Sequence, residues 1–200
     1  MASENKSYDH IIAGAGLSGL SLAYKLSKEP YYKNKRVLVL DKDAKTDNDR
    51  TWCYWSKETD DFEQILHHRW PKIRFASPSQ NKQHIIQPYE YRMIRGIDFY
   101  KYTLDRISAA PNIDFRQDEI QNIQEDSDQV VINTNSGSYI APYAFKSYPD
   151  NLPDIATIKC KHHFVWQHFK GWVIESAHDC FDDTEAVSYT HLTLPTTPYV

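Results

Sequence analysis

Two hundred residues suit one large domain or two small ones, and a chain with 40% apolar and 25% charged residues is neither disordered nor collagen-like. With 23 basic and 27 acidic residues the net charge is −4, which excludes a whole-chain basic field for nucleic acid. No apolar run approaches the roughly 18 residues of a membrane-spanning helix, the polar start Met1 to His10 lacks the apolar core of an export signal, and three widely spaced cysteines (Cys53, Cys160, Cys180) fit a reducing compartment.

Tyr8 to Ala13 reads as a short buried strand centred on Ile11 and Ile12. Gly14-Ala15-Gly16-Leu17-Ser18-Gly19 follows, with the spacing G-x-G-x-x-G, and then a helix whose Gly19, Leu22, Ala23 and Leu26 recur at i, i+3, i+4, i+7. Val37 to Leu40 is wholly apolar, as a parallel strand covered on both faces must be, and it ends in Asp41. Each part has a chemical reason. The first glycine makes a tight turn and the second lets backbone N–H groups approach a pyrophosphate. The third allows close helix–strand contact, the helix N-terminus faces the phosphates, and the acid accepts from ribose hydroxyls. Strand, glycine loop, helix, strand and acid in this order predict a dinucleotide site formed by Gly14, Ala15, Gly16, Leu17, Gly19 and Asp41. Its place at the N-terminus favours FAD over NAD, although Asp41 stands where FAD proteins usually carry glutamate.

Asp41 to Asp49 holds several carboxylates but lacks the glycine and glutamate of a calcium loop, so it reads as solvated. Arg50 to Trp55 is dense in rings that either line a pocket or form a satellite core, and Cys53 has no partner for redox chemistry. Ile73 and Phe75 alternate with Lys72 and Arg74 in a half-exposed strand, and Ile85, Ile86 and Tyr89 suggest another that Pro88 confines to an edge or end. The interval from Trp70 to Tyr91 therefore reads as antiparallel sheet inserted into the nucleotide-binding unit. Ile97, Tyr100, Leu104 and Ile107 recur at helical spacing, with Asp98 near the start and Pro111 beyond the end, which puts Arg95 just before a helix. Ile113 to Phe115 is a short strand, and Asn135-Ser136-Gly137 turns a hairpin between Val130–Ile132 and Tyr139–Ile140. Tyr143 to Pro153 reads as a loop, and Lys161 to Phe169 as a strand that Gly171 breaks before Trp172 to Glu175 resumes. Cys160, His162, His163 and His168 have no recognised zinc spacing, so no metal site is expected.

Four ordered segments resemble one family, the bacterial lycopene β-cyclases of the Bacteroidetes kind. They are Tyr8 to Gly16, Asp49-Arg50-Thr51-Trp52, Met93-Ile94-Arg95-Gly96-Ile97-Asp98-Phe99-Tyr100, and Gln167-His168-Phe169-Lys170-Gly171-Trp172-Val173-Ile174-Glu175. The resemblance runs from Tyr8 to about Ala186. It implies an enzyme that binds reduced FAD, with NAD(P)H as the electron source, and closes the linear ψ-ends of lycopene or a related linear carotenoid into β-ionone rings without net redox. Reduced flavin would stabilise the cation, as electrostatic preorganisation, and a carboxylic acid would protonate the polyene. It also implies cytoplasmic placement with a peripheral membrane surface, since the substrate is wholly apolar. By resemblance Arg50 and Arg95 lie in motifs next to the flavin. Lys146-Ser147-Tyr148 departs from the family's Asp-x-Arg loop, so no role is carried there.

The fold expected is α/β, a Rossmann-like FAD/NAD(P)-binding fold with an inserted antiparallel substrate sheet, truncated. Residues 1–55 and about 92–155 would form an incomplete FAD-binding domain, and about 56–91 and 156–186 the substrate sheet. The catalytic residues would lie beyond residue 186, leaving this chain inactive alone. Val187 to Thr196 resembles a translated transposase-type sequencing adapter, so 187–200 reads as a non-native tail. Two other readings remain at this stage: another FAD-dependent oxidoreductase of monooxygenase or prenyl reductase type, and a non-catalytic dinucleotide-binding module.

Overall fold

The computed structural model describes residues 6–148, 175, 177–178 and 182–189. The expected strand Lys161 to Phe169, nearly all of the Gln167–Glu175 motif, and Cys160, His162, His163 and His168 lie outside the described residues. In chain order the first strands are β1 (Lys6–Ser7), β2 (His10–Ala13), β3 (Val37–Asp41), β4 (Thr51–Ser56), β5 (His68–Trp70), β6 (Lys72–Ser77) and β7 (Gln80–Ile85). Then come β8 (Glu90–Arg95), β9 (Ile113–Gln117), β10 (Ile120–Glu125), β11 (Val130–Thr134), β12 (Ser138–Ala141), β13 (Tyr143–Lys146) and β14 (Glu185–Tyr189). Helix α1 spans Leu17–Lys28 and α2 Gly96–Ser108. Among the described residues no helix is long and apolar enough to cross a membrane.

The chain divides into two compact units, Met1–Thr46 with Tyr100–Gly171, and Asp47–Phe99 with Trp172–Val200. These boundaries differ from the expected 55/56 and 91/92. The cause is strand pairing: β4 runs antiparallel to β8 from Thr51↔Arg95 to Ser56↔Glu90, so both segments belong to the antiparallel unit.

The first unit is built on a parallel sheet in the order β13-β2-β3-β9. The apolar run explains it. Ile11, Ile12, Val37, Leu38, Val39 and Leu40 are wholly buried, and each such side chain contributes about 1.5–3 kcal/mol of burial. Helix α1 packs on β2 and β3 through its buried stripe of Gly19, Leu20, Ala23, Tyr24 and Leu26. A second sheet, β1-β12-β11-β10, joins Ile132, Tyr139 and Ala141 to Tyr8, Ile11, Ala13, Leu38 and Leu40 in one core. The predicted hairpin is there, with Ile132 opposite Tyr139 and Val131 opposite Ile140. Asp118 ties its turn down by accepting hydrogen bonds from Thr134 Oγ1 (2.6 Å) and Ser136 Oγ.

The second unit holds two three-stranded sheets, β4-β8-β5 and β14-β6-β7. The first is antiparallel throughout, with one packed face. There Trp52 meets Phe99 edge-on, their centroids 5.3 Å apart, and Arg92, only 5% exposed, gathers acceptors. Arg92 donates to Glu63 Oε1 (2.5 Å), to Glu90 Oε2 (3.0 Å) and to the Glu58 carbonyl (2.9 Å). Tyr54 donates to Asp60 at 3.0 Å, and burial with that carboxylate pushes its phenol up to about 12. In the second sheet β6 is half exposed, as expected. Ile73 is buried and Phe75 half exposed, while the strand suggested by Ile85, Ile86 and Tyr89 is β7, which ends at Ile85 and is exposed along its length. Strand β14 pairs in parallel with β6 and carries Val187, Ser188 and Tyr189 three residues beyond Ala186. Glu185 is buried against Arg74 and Gln83, so charge as well as the ladder holds this strand.

Candidate functional site

The glycine loop lies where β2 turns into α1. Gly14 donates its N–H to the Leu40 carbonyl at 2.8 Å, which pins the turn to β3. Its φ of +103° is a conformation that L side chains rarely adopt. Gly19 allows the close approach: a Cβ there would stand 1.9 Å from the Gly14 carbonyl oxygen. Gly16 is the N-cap of α1 and has extended backbone, with no side chain capping the helix and no acid in its first turn. A Cβ on Gly16 would meet nothing within 4 Å. The first helical N–H groups lack intrahelical acceptors and the dipole there is positive. An uncapped N-terminus beside open space is what a pyrophosphate requires, so the residues fit the phosphates of a dinucleotide.

Asp41 closes this cluster. Its Oδ2 accepts the Ala15 N–H at 2.6 Å and its Oδ1 accepts the Asp43 N–H at 2.9 Å. Lys45 reaches Asp41 at 3.1 Å and Asp43 at 3.6 Å, from a left-handed φ of 60°. The ammonium thus stands between the two carboxylates that invited a calcium-loop reading. A carboxylate offers about four acceptor positions, so with these three donors the Asp41 side chain has little capacity left for ribose hydroxyls. Its first role is to hold the loop.

Ala15 is buried, Leu17 is partly exposed, and Gly14, Ala15, Gly16, Leu17, Gly19 and Asp41 all lie in the first unit, at the β2–α1 turn and the end of β3. Ser147 belongs with them. Its N–H donates to the Ala13 carbonyl (2.8 Å) and its hydroxyl to the Gly14 carbonyl (2.7 Å). Nothing in the local sequence marks it, because the partner is 133 residues away.

Arg50 and Arg95 lie in the second unit and are brought together by the β4–β8 pairing. The Gly96 N–H donates to the Arg50 carbonyl at 2.7 Å, and a Cβ on Gly96 would lie 2.8 Å from that oxygen, so glycine is needed there. The Arg50 side chain is largely exposed, 3.8 Å from Asp49. Arg95 forms a forked pair with Asp98, at 2.6 and 3.1 Å, which raises the guanidinium pKa further. Of the two uses expected of the ring-rich segment, packing is the one seen, at Trp52. Trp52 packs against Phe99, while Trp55 lies on the opposite face with its ring 4.8 Å from that of Tyr91.

A p-nitrophenol 4-monooxygenase from Pseudomonas putida DLL-E4 shares the fold, with TM-score 0.56 and 17% identity over 70% of this chain and 40% of that one. The flavin-dependent brominase Bmp2 gives TM-score 0.52 and 13% identity over 70% and 38%. A glucose oxidase from Penicillium chrysogenum is 50% identical over 46 residues, 23% of this chain and 7% of that protein. The chain thus spans about 40% of the two solved structures and a small part of the oxidase. Their common architecture is the α/β dinucleotide-binding fold of flavoproteins. The lycopene cyclase protein family matches residues 9–189, with the glycine loop and the Arg95 segment inside the match, and the chain belongs to that family.

Proposed function

We propose that this chain carries the flavin-binding part of a lycopene β-cyclase, which closes the ψ-ends of lycopene or a related linear carotenoid into β-ionone rings with no net redox. The observation that carries the reading is the uncapped α1 N-terminus beside the open side of Gly16, within a chain of this family. Reduced FAD, regenerated by NAD(P)H, supplies an electron-rich ring that stabilises positive charge on the polyene. The chain's own residues bind and orient it. The α1 N-terminus and Gly16 hold the pyrophosphate, Gly14 and Gly19 shape the turn, and Asp41 and Ser147 fix the loop's backbone. Arg50 and Arg95 are assigned to the flavin side. The proton donor is assigned to the part of the whole protein beyond residue 186, and a peripheral, cytoplasmic membrane surface to the delivery of so apolar a substrate.

The test is cyclisation by the whole protein in lipid vesicles containing lycopene, with FAD and NADPH under reducing conditions. β-Carotene or γ-carotene is expected, and neither is expected from the 200-residue chain alone. Absence of both products from the whole protein overturns the reading.

A further inference from the structure

Lys45 has surroundings that few lysines have. It lies four residues beyond Asp41 with a left-handed φ of 60°, a conformation taken by only a few per cent of residues other than glycine. Its side chain is 9% exposed, although lysine is almost never fully buried unless it is paired. The ammonium stands 3.1 Å from Asp41 Oδ1 and 3.6 Å from Asp43 Oδ2. It also lies 5.7 Å from the centre of the Tyr100 ring, which is itself buried and attracts a cation to its face.

The glycine loop gives this ammonium its purpose. Asp41 Oδ2 accepts the Ala15 N–H at 2.6 Å, and Ala15 directly precedes Gly16, the N-cap of α1. Consecutive Cα atoms are about 3.8 Å apart, which puts the carboxylate within about 10 Å of the first helical N–H groups. That is about one Debye length at 0.1 M salt, and the Asp41 side chain is only 11% exposed, so water and ions screen it little. The helix end itself carries only about half a positive charge. Asp41 fixes the loop, yet with Asp43 it sets two negative charges beside the place where a pyrophosphate must bind.

We propose that Lys45 is a positioning residue of the dinucleotide site, whose buried ammonium offsets Asp41 and Asp43 so that the α1 N-terminus keeps its attraction for a pyrophosphate. The proposal rests on the FAD-binding part of the reading above. One lysine then explains how a loop held by a carboxylate can still take an anion. A side chain that merely fastened the loop could be exchanged for a neutral one of similar length that donates to the same carboxylates. One that offsets charge cannot.

The test titrates FAD into the whole protein at low salt, with affinity read by quenching of flavin fluorescence and folding by urea unfolding. Lys45→Gln and Lys45→Glu are nearly equal in size and differ by one charge. Lys45→Gln should bind FAD about tenfold more weakly than the parent, and Lys45→Glu about tenfold more weakly again. Lys45→Arg keeps the charge and should stay within threefold of the parent. Lys45→Gly suits the left-handed backbone, so it guards against loss of fold, and it should lose affinity as Lys45→Gln does. Lys45→Gln binding within threefold of the parent overturns the proposal, and so does Lys45→Glu binding as tightly as Lys45→Gln. A parent that does not bind FAD overturns the dinucleotide reading and the proposal with it, so the two failures are told apart.

Discussion

Gly16 and Gly19 have opposite jobs in one loop, and replacing each by alanine separates packing from binding. At Gly19 the added Cβ would stand 1.9 Å from the Gly14 carbonyl oxygen and 2.9 Å from Ser147 Oγ. A close C–H···O contact needs about 3.3 Å, so the N-terminus of α1 would have to move by more than an ångström. The obstacle is backbone, and that backbone is held by Leu40 and Ser147. Alanine gains about 1 kcal/mol of helix propensity over glycine. Overpacking against a fixed neighbour costs about 1–3 kcal/mol and more where nothing can give. Because the neighbour is fixed backbone, the upper end of that cost applies, and the net expectation for Gly19→Ala is a loss of about 2 kcal/mol or more in urea unfolding. At Gly16 the added Cβ meets nothing within 4 Å, and the backbone, with φ −77° and ψ −168°, accepts any residue. Stability should therefore change by no more than about 0.5 kcal/mol.

Binding should show the reverse pattern for its own reason. The methyl on Gly16 stands on the open side of the α1 N-terminus, where the phosphates must approach the N–H groups. FAD affinity, read by quenching of flavin fluorescence, should fall about tenfold or more for Gly16→Ala, or about 1.4 kcal/mol. A Gly16→Ala protein that keeps both its stability and its FAD affinity refutes the placement of the pyrophosphate. A Gly19→Ala protein as stable as the parent refutes the packing argument.

Three further outcomes are expected. Arg92→Met should lower stability by about 1–2 kcal/mol in urea unfolding, because Glu63 and Glu90 keep only Arg69 and the Glu58 carbonyl loses its donor, and Arg92→Lys should recover only part since lysine has no fork. Tyr54 is raised to about 12 by burial and by Asp60, so its stabilising effect is whole below the ordinary phenol value of about 10 and is lost as pH rises from there to about 12. Ultraviolet titration should therefore show a phenol component near 12 that disappears in Tyr54→Phe. For Asp118, burial raises the pKa, but the hydrogen bonds from Ser136 and Thr134 outweigh it and the pKa is lowered. Its contribution is thus present above the ordinary aspartate value of about 4 and lost as pH falls below it. In Asp118→Asn acid-unfolding experiments that part of the pH dependence should be missing, and an unchanged profile would contradict the assignment.

What could be read from the sequence was what one βαβ unit contains. The needs of Gly14, Gly16 and Gly19 are local, and Val37 to Leu40 are buried on both faces, so strand, loop and acid were visible together. The loop's other support was not visible, because Ser147 reaches Gly14 across 133 residues. Strand β10 escaped notice for a different reason. Its apolar residues, Ile120 and Ile123, are three apart, and an irregularity between Ile120 and Asn122 shifts the register so that the period of two is lost. The same arithmetic did hold an answer at Trp52 and Trp55. Three residues apart on one strand, they must point to opposite faces, which makes one a core ring and leaves the other beside Tyr91. Arg50 and Arg95 needed the pairing itself. Thr51 stands opposite Arg95, more than forty residues along the chain, and only that register brings the two motifs to one end of one sheet. Charge there is then set by the Asp98 fork on Arg95, a local i,i+3 contact that the sequence did contain. A flavin-side role for Arg95 therefore requires the guanidinium to exchange an exposed pair, which costs little in water.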